Sequence, residues 1–170
     1  MATTPFPAKT LSLSCALLLA ALLPGAGAAV SAESAENAAP YPGTQTIATR
    51  YSFAQLLQRL ERAVSENQMG LVAQASASQG AAARGFKIRG NAVLMVFRND
   101  YALRMLEASV PAGIEAPLRL YLTEDPDGAA SITYRTPSAT FAPYGSSQLD
   151  AMARELDAVF AKIVSDASGK

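Results

Sequence analysis

The side chains that could carry chemistry in this 170-residue chain are few, because it contains no His and its single Cys is Cys15. Imidazole bases, Ser-His or Cys-His pairs and His metal ligands are therefore excluded. What remains are polar and aromatic side chains, of the kind that surround a small-molecule pocket. The candidate ligand-binding residues are Asn99, Arg119, Tyr121, Glu124, Tyr134 and Arg135.

Two of these aromatic residues, Tyr121 and Tyr134, lie on the two arms of a predicted hairpin. Counting inward from the turn places them near each other. With Arg119 and Arg135 they would then line one face of a groove. The alternative is that the rings pack under the C-terminal helix or at a dimer contact.

Charge is unevenly distributed, although 14 basic residues balance 14 acidic ones. Segment 84–104 has a net charge of +4, and segment 107–128 has a net charge of −4. These segments could steer two subunits together, or they could be ordinary solvated faces. A third interpretation is an anion site, to which Asn99 at a helix N-terminus would contribute. The zero overall charge argues against a dedicated nucleic-acid binder.

Three short motifs fail as catalytic or metal sites. Asp125-Pro126-Asp127-Gly128 begins like a calcium loop, but Thr136 stands where that loop needs Glu, so a hairpin turn is favoured. The segment from Gly85 to Gly90 lacks the Lys-Ser/Thr of a phosphate loop. Glu115 and Glu124 could form a carboxylate pair, but nothing places them at one cleft. The sequence therefore assigns no catalytic residue, no metal and no cofactor.

The N-terminus predicts export. Residues 1–28 have the pattern of a signal peptide: an apolar run, Leu11–Leu23, is followed by the cleavage motif Ala26-Gly27-Ala28. A second possible cleavage site ends at Ala32. The run would span about 20 Å as a helix, which is too short for a bilayer. A retained anchor or a lipoprotein at Cys15 is the alternative. We expect an exported protein, in the periplasm rather than the medium, with no stable membrane insertion after cleavage.

Residues 29–46 lack large apolar side chains and predict a flexible linker, and residues 47–168 predict one domain. The predicted strands are 46–51, 71–76, 92–97, 117–123 and 131–135. The predicted helices begin at Ser52 (with Gln55 completing a capping box), near Gln79, at Asn99 or Asp100, and at Ser146 or Ser147. The continuous apolar run 92–97 predicts a central strand buried on both faces. Together the elements predict a two-layer α/β sandwich with a mixed sheet and helices on one face.

The stretch from Tyr51 to Tyr144 contains Phe97-Arg98-Asn99-Asp100, Ala116-Pro117-Leu118-Arg119 and Tyr134-Arg135-Thr136-Pro137. In order and spacing it resembles the bacterial family called domain of unknown function 302. The resemblance implies a small α/β sandwich, sometimes dimeric, without a general activity. Family members often have a His after the second strand and Asn-Pro after the central strand. This chain has Ala75-Ser76-Ala77-Ser78 and Asn99-Asp100 there, which weakens any transfer of function.

The leading hypothesis is an exported, non-enzymatic domain that binds a small ligand or a protein partner, as a homodimer. The alternative is an envelope enzyme that uses Tyr, Arg and carboxylate groups. A structure that placed Arg119, Tyr121, Glu124 and Tyr134 around one closed cleft would favour the enzyme. A third hypothesis is a structural or assembly factor.

Overall fold

The computed structural model describes residues 42–170, which lie within one compact unit. The strands are β1 (Thr44–Ser52), β2 (Gly70–Ala75), β3 (Asn91–Phe97), β4 (Leu118–Glu124) and β5 (Ala129–Arg135). The helices are α1 (Phe53–Glu66), α2 (Ala77–Ala82), α3 (Asn99–Ala108), α4 (Pro137–Phe141) and α5 (Ser147–Ser168), with 3-10 turns at Val110–Glu115 and Ala142–Tyr144. The predicted signal peptide, Cys15 and linker residues 29–41 lie outside the described residues. The predicted linker ends too late, because residues 44–46 already belong to β1.

The predicted two-layer α/β sandwich is confirmed, with one correction to its sheet. The five strands have the order β1-β5-β4-β3-β2, and every neighbouring pair is antiparallel rather than mixed. The helices between strands suggested parallel crossovers. Here α1 instead carries the chain from one edge strand to the other, so β1 and β2 never become neighbours.

The buried core lies between α1 and α5 on one side and a single face of the sheet on the other. From the helices it contains Leu56, Leu60, Phe160 and Ile163, and from the sheet Ala92, Leu94, Val96, Leu118, Leu120, Leu122 and Ile132. The prediction that β3 is central and buried on both faces is wrong. β4 is the middle strand, and residues of β3 alternate between buried and half-buried, so Val93 and Met95 face away from the core.

Local start signals place two of the helices. At α1 the Ser52 hydroxyl accepts from the Gln55 amide at 3.4 Å, and the Gln55 side chain accepts from the Ser52 amide at 3.1 Å. This is the predicted capping box. Ser146 caps α5 by accepting from the Leu149 amide at 3.4 Å. Among the described residues, no helix combines the length and the apolar character needed to span a bilayer.

The start of α3 differs from its prediction. Arg98 is the N-cap residue and makes no side-chain cap, while Asn99 and Asp100 are already helical. The Asp100 carboxylate instead accepts from the Arg98 guanidinium at 2.7 and 3.0 Å. Because the Asp100 carboxylate is engaged by Arg98, no side chain caps the first amide groups of α3.

Candidate functional site

The sheet face turned away from α1 and α5 carries the candidate site. We call it the open face, and it is formed by Thr44, Val93, Met95, Phe97, Arg119, Tyr121, Thr133 and Arg135. The strand registers align these residues in rows, since Val93 pairs with Tyr121 and Tyr121 with Thr133. In the next row Met95 pairs with Arg119. The alternation of β-strand side chains therefore brings them to one surface.

A cleft of about 250 Å³ opens on this face. Its walls are formed by Thr44, Val93, Glu115, Leu118, Arg119, Tyr121, Thr133, Tyr134, Arg135 and Thr140. Four of the six residues predicted from the sequence line it, namely Arg119, Tyr121, Tyr134 and Arg135. The structure thus gathers most of the predicted set, by the register of β4 and β5.

Two arginines provide the positive charge of the cleft. Leu120 and Tyr134 pair with each other on the core face. Arg119 precedes Leu120 on β4 and Arg135 follows Tyr134 on β5, so both arginines point to the open face. The Arg135 guanidinium donates to the Ala139 carbonyl at 2.7 Å, which fixes it against α4. The Arg119 side chain is exposed, and its guanidinium makes no hydrogen bond or ion pair with any described residue. The cleft therefore holds one positioned and one unpartnered guanidinium.

The carboxylate of the cleft is already engaged. Glu115 accepts a hydrogen bond from the Tyr144 hydroxyl at 3.0 Å. Burial raises the pKa of Tyr144 above its ordinary value, and the contact with Glu115 raises that pKa further. Glu115 thus ties the 3-10 turn before β4 to the segment before α5 and forms no ion pair with either arginine.

The two predicted tyrosines lie on opposite faces of the sheet, which corrects the expectation that they sit together. Tyr121 is 40 % exposed on the open face. Tyr134 turns its ring toward α5, with a centroid distance of 5.8 Å to Phe160. Burial raises the pKa of Tyr134, and the negative charge of Asp157 adds to the effect. Tyr134 therefore packs under the C-terminal helix, which is the alternative given for these rings in the sequence analysis.

Asn99 and Glu124 do not join the cleft. Asn99 is exposed in the first turn of α3. The Glu124 carboxylate accepts from the Gly90 amide at 2.6 Å, and the Glu124 amide donates to the Gly90 carbonyl at 2.8 Å. Glu124 therefore closes the end of the sheet where β3 begins.

Sequence reasoning missed several cleft residues, and the reasons are specific. The predicted linker, residues 29–46, includes Thr44, and Val93 lies on a strand predicted to be buried on both faces, yet both residues line the cleft. The sequence presents Glu115 as a member of the acidic segment 107–128 and as a carboxylate partner of Glu124, and neither interpretation places it beside Arg119. Thr133 carried a usable signal, because it lies two residues before Arg135 on the same strand and must share its face.

The charged segments are largely committed to contacts within the chain. Arg104 forms a bidentate pair with Glu155 at 2.7 and 2.8 Å. In the acidic segment, Asp125 accepts from the Ser131 hydroxyl at 2.7 Å, and Asp127 accepts from the Ala129 amide at 3.0 Å. These contacts favour ordinary solvated faces and the predicted hairpin turn. In the described part of the chain, no three His, Cys, Asp or Glu side chains are grouped so as to hold a metal ion.

Comparison with known proteins identifies the family. The family model "Domain of unknown function DUF302" matches residues 45–167. The chain belongs to the DUF302 family. No curated protein matches it. The structure is similar to the crystal structure of an uncharacterized conserved DUF302 protein from Bacillus stearothermophilus, with a TM-score of 0.67 and 17 % sequence identity. The alignment covers 75 % of this chain and 99 % of that one, and it shows a shared fold.

This DUF302 chain has its own arrangement at the segment where the resemblance leads us to expect a His. The Ser76 hydroxyl donates to the Asn91 carbonyl at 2.7 Å and caps α2 by accepting from the Gln79 amide at 3.1 Å. The Ser78 hydroxyl accepts from the Asn91 amide at 3.1 Å. The two serines thus fasten α2 to the start of β3 through backbone contacts.

Proposed function

We propose that this DUF302 protein is an exported, non-enzymatic domain that binds a small anionic ligand in the open-face cleft. The observation that carries the proposal is Arg119, which is exposed and unpartnered on the strand next to Arg135. Like charges on neighbouring strands of one face repel each other. An anion held between the two guanidinium groups would relieve that repulsion.

The chemistry of the cleft suits a carboxylate or a phosphate. A guanidinium presents a planar fork of N–H donors that matches two oxygens of such an anion. Because Arg135 is held by the Ala139 carbonyl, part of the ordering cost of binding is already met by the fold. Tyr121 adds a partly exposed ring beside the arginines.

The separation of the candidate groups favours binding over catalysis. The envelope-enzyme hypothesis needs Arg119, Tyr121, Glu124 and Tyr134 around one closed cleft. Glu124 instead contacts Gly90, and the ring of Tyr134 packs on Phe160. The raised pKa of Tyr134 also makes that hydroxyl a poorer acid at neutral pH.

Export remains part of the proposal and is supported by the signal-peptide pattern of residues 1–28. We place the protein in the periplasm. Intact-mass measurement on protein from a periplasmic fraction tests this, and a chain that begins after Ala28 is expected. Recovery of the uncleaved chain from the cytoplasm would contradict it.

Calorimetric titration of the purified protein with acetate, benzoate and inorganic phosphate tests the binding site. We expect saturable binding of at least one anion, and Arg119→Gln should weaken it by about tenfold or more, since a charge-assisted contact is lost. Arg62→Gln is the matched control, because Arg62 is exposed on α1 in the helical layer. Equal losses in both variants, or no saturable binding of any anion, would reject the proposal.

A further inference from the structure

The open face carries a continuous apolar surface next to the two arginines. Val93, Met95 and Phe97 point to this face from β3, and each is half-buried. On one side Tyr121 lies opposite Val93. On the other side, β2 places Ala73 opposite Met95 and Ala75 opposite Val93. Strands are spaced about 4.8 Å apart, so this surface extends about 10 Å from β4 to β2.

The apolar surface adjoins the positive charge between β3 and β4, where Met95 lies directly opposite Arg119. A ligand whose carboxylate contacts Arg119 would therefore have its next atoms over Met95. We propose that the ligand is a free amphiphilic carboxylate, with its anionic head at Arg119 and Arg135 and its hydrocarbon chain along Met95 and Val93. This inference rests on the proposed anion site and assigns the ligand class.

The charge and shape of the surface favour this occupant over two others. A second copy of the chain packed face to face would place four guanidinium groups, from Arg119 and Arg135 of each copy, in one interface. None of the residues that form the open face is acidic, so nothing on this face would offset their charge. A bilayer surface would have to reach Val93 and Met95, which are recessed beside the exposed Arg119. A single hydrocarbon chain, by contrast, can follow β3 over Met95 and Val93.

The test is calorimetric titration of the whole protein with acetate, hexanoate and octanoate, each below its micelle concentration. Every methylene that becomes buried should raise the affinity about three- to fourfold. Octanol and octyltrimethylammonium supply the same chain without a negative charge, and both should bind at least tenfold more weakly than octanoate. Arg119→Gln should remove this preference for octanoate.

Two variants probe the chain-binding surface. Met95→Gln keeps the side-chain length, and Val93→Thr keeps the side-chain shape. Because both side chains are half-buried on the open face and lie outside the core, at least one variant should fold, as judged by its thermal transition. Each should reduce the dependence of affinity on chain length. Met95→Gln, at a position that does not line the cleft, should also leave acetate affinity within about twofold. Leu103→Ser is the control, because Leu103 is 56 % exposed on α3.

The outcomes separate this inference from the proposed function. If acetate and octanoate bind equally well and both need Arg119, the amphiphile is wrong and the small-anion site stands. If no carboxylate or phosphate binds, both are wrong. Equal binding of octanol and octanoate, or binding only to phosphatidylglycerol vesicles, would also overturn the amphiphile assignment.

Discussion

Glu124 pairs with Ala130 across the β4–β5 hairpin, and this register decides which side chains reach the cleft. The turn closes with the Asp125 amide donating to the Ala129 carbonyl at 2.8 Å. Gly128 has a φ of +85°, in the left-handed region where a Cβ is disfavoured. The loop therefore contains one residue more than the motif Asp125–Gly128, in the manner of a hairpin with a glycine bulge.

Gly128→Ala is expected to lower the free energy of unfolding by about 1 to 2 kcal/mol, because Ala must adopt the left-handed conformation. Gly80→Ala is the matched control, since Gly80 lies in α2 with nothing near the position of a Cβ. The control should leave stability unchanged or raise it by up to about 1 kcal/mol. Urea denaturation measures both, and equal effects of the two substitutions would contradict the assigned role of Gly128.

The same register explains which part of the site could be predicted from the sequence. The hairpin, the capping box at Ser52 and the pairing of β4 with β5 depend on local patterns, and these are visible in the chain. A four-residue loop would pair Glu124 with Ala129 and place Tyr121 and Tyr134 on one face. The additional loop residue reverses this, because a shift of one residue moves side chains to the other face.

The order of the strands in the sheet is harder to predict from the sequence. The apolar run 92–97 is typical of a strand buried on both faces, yet β3 is the fourth strand of five. Its second apolar set, Val93, Met95 and Phe97, faces the open side of the sheet. Whether such a set belongs to a core or to a binding surface depends on which helices cover it, and that is decided by tertiary packing.

Tyr134 is expected to act in packing rather than in ligand binding. Tyr134→Phe should leave both stability and anion affinity nearly unchanged, since the hydroxyl makes no hydrogen bond within the described residues. Phe160→Ala should cost about 3 to 5 kcal/mol, because Phe160 is fully buried under the same ring. Chemical denaturation and calorimetric titration measure the two properties. A loss of anion affinity in Tyr134→Phe would assign that hydroxyl to the site.

Acid should weaken the contact between the ends of α1 and α5. The Asp166 carboxylate accepts from Asn67 at 2.8 Å and from Lys162 at 3.0 Å, and these contacts lower the pKa of Asp166, with Asn67 the larger cause. Nearby, the Arg59 guanidinium donates to the Asp166 carbonyl at 3.1 Å. A carboxyl whose pKa is lowered in the folded state stabilises the fold above its unfolded pKa of about 3.9, and this contribution disappears as pH falls through the folded value.

Asp166→Asn removes that titration, so the variant should lose less stability than the wild type between about pH 5 and about pH 2.5. Urea midpoints at the two pH values provide the measurement. Glu61→Gln is the control, because the Glu61 carboxylate makes no ion pair or hydrogen bond with a described residue. If both variants lose as much stability as the wild type, the contact has no part in acid sensitivity.

The predicted homodimer has a suitable edge in β2. All six residues of this edge strand, Gly70–Ala75, are exposed, and none is charged or a proline, which are the usual protections of a sheet edge. Val72 is 52 % exposed at an irregularity of the β2–β3 ladder. We expect Val72→Lys to shift the protein toward monomer in sedimentation velocity, because pairing two β2 edges would then bring two ammonium groups together.

Val110→Lys is the matched control for this prediction, because Val110 is 73 % exposed in the 3-10 turn after α3, outside β2. It should sediment as the wild type does. A wild-type protein that is monomeric at high micromolar concentration would reject the homodimer. A dimer that persists in Val72→Lys and dissociates in Val110→Lys would instead place the contact at the turn, where Val110 and Ile114 are the most exposed large apolar side chains of the described residues.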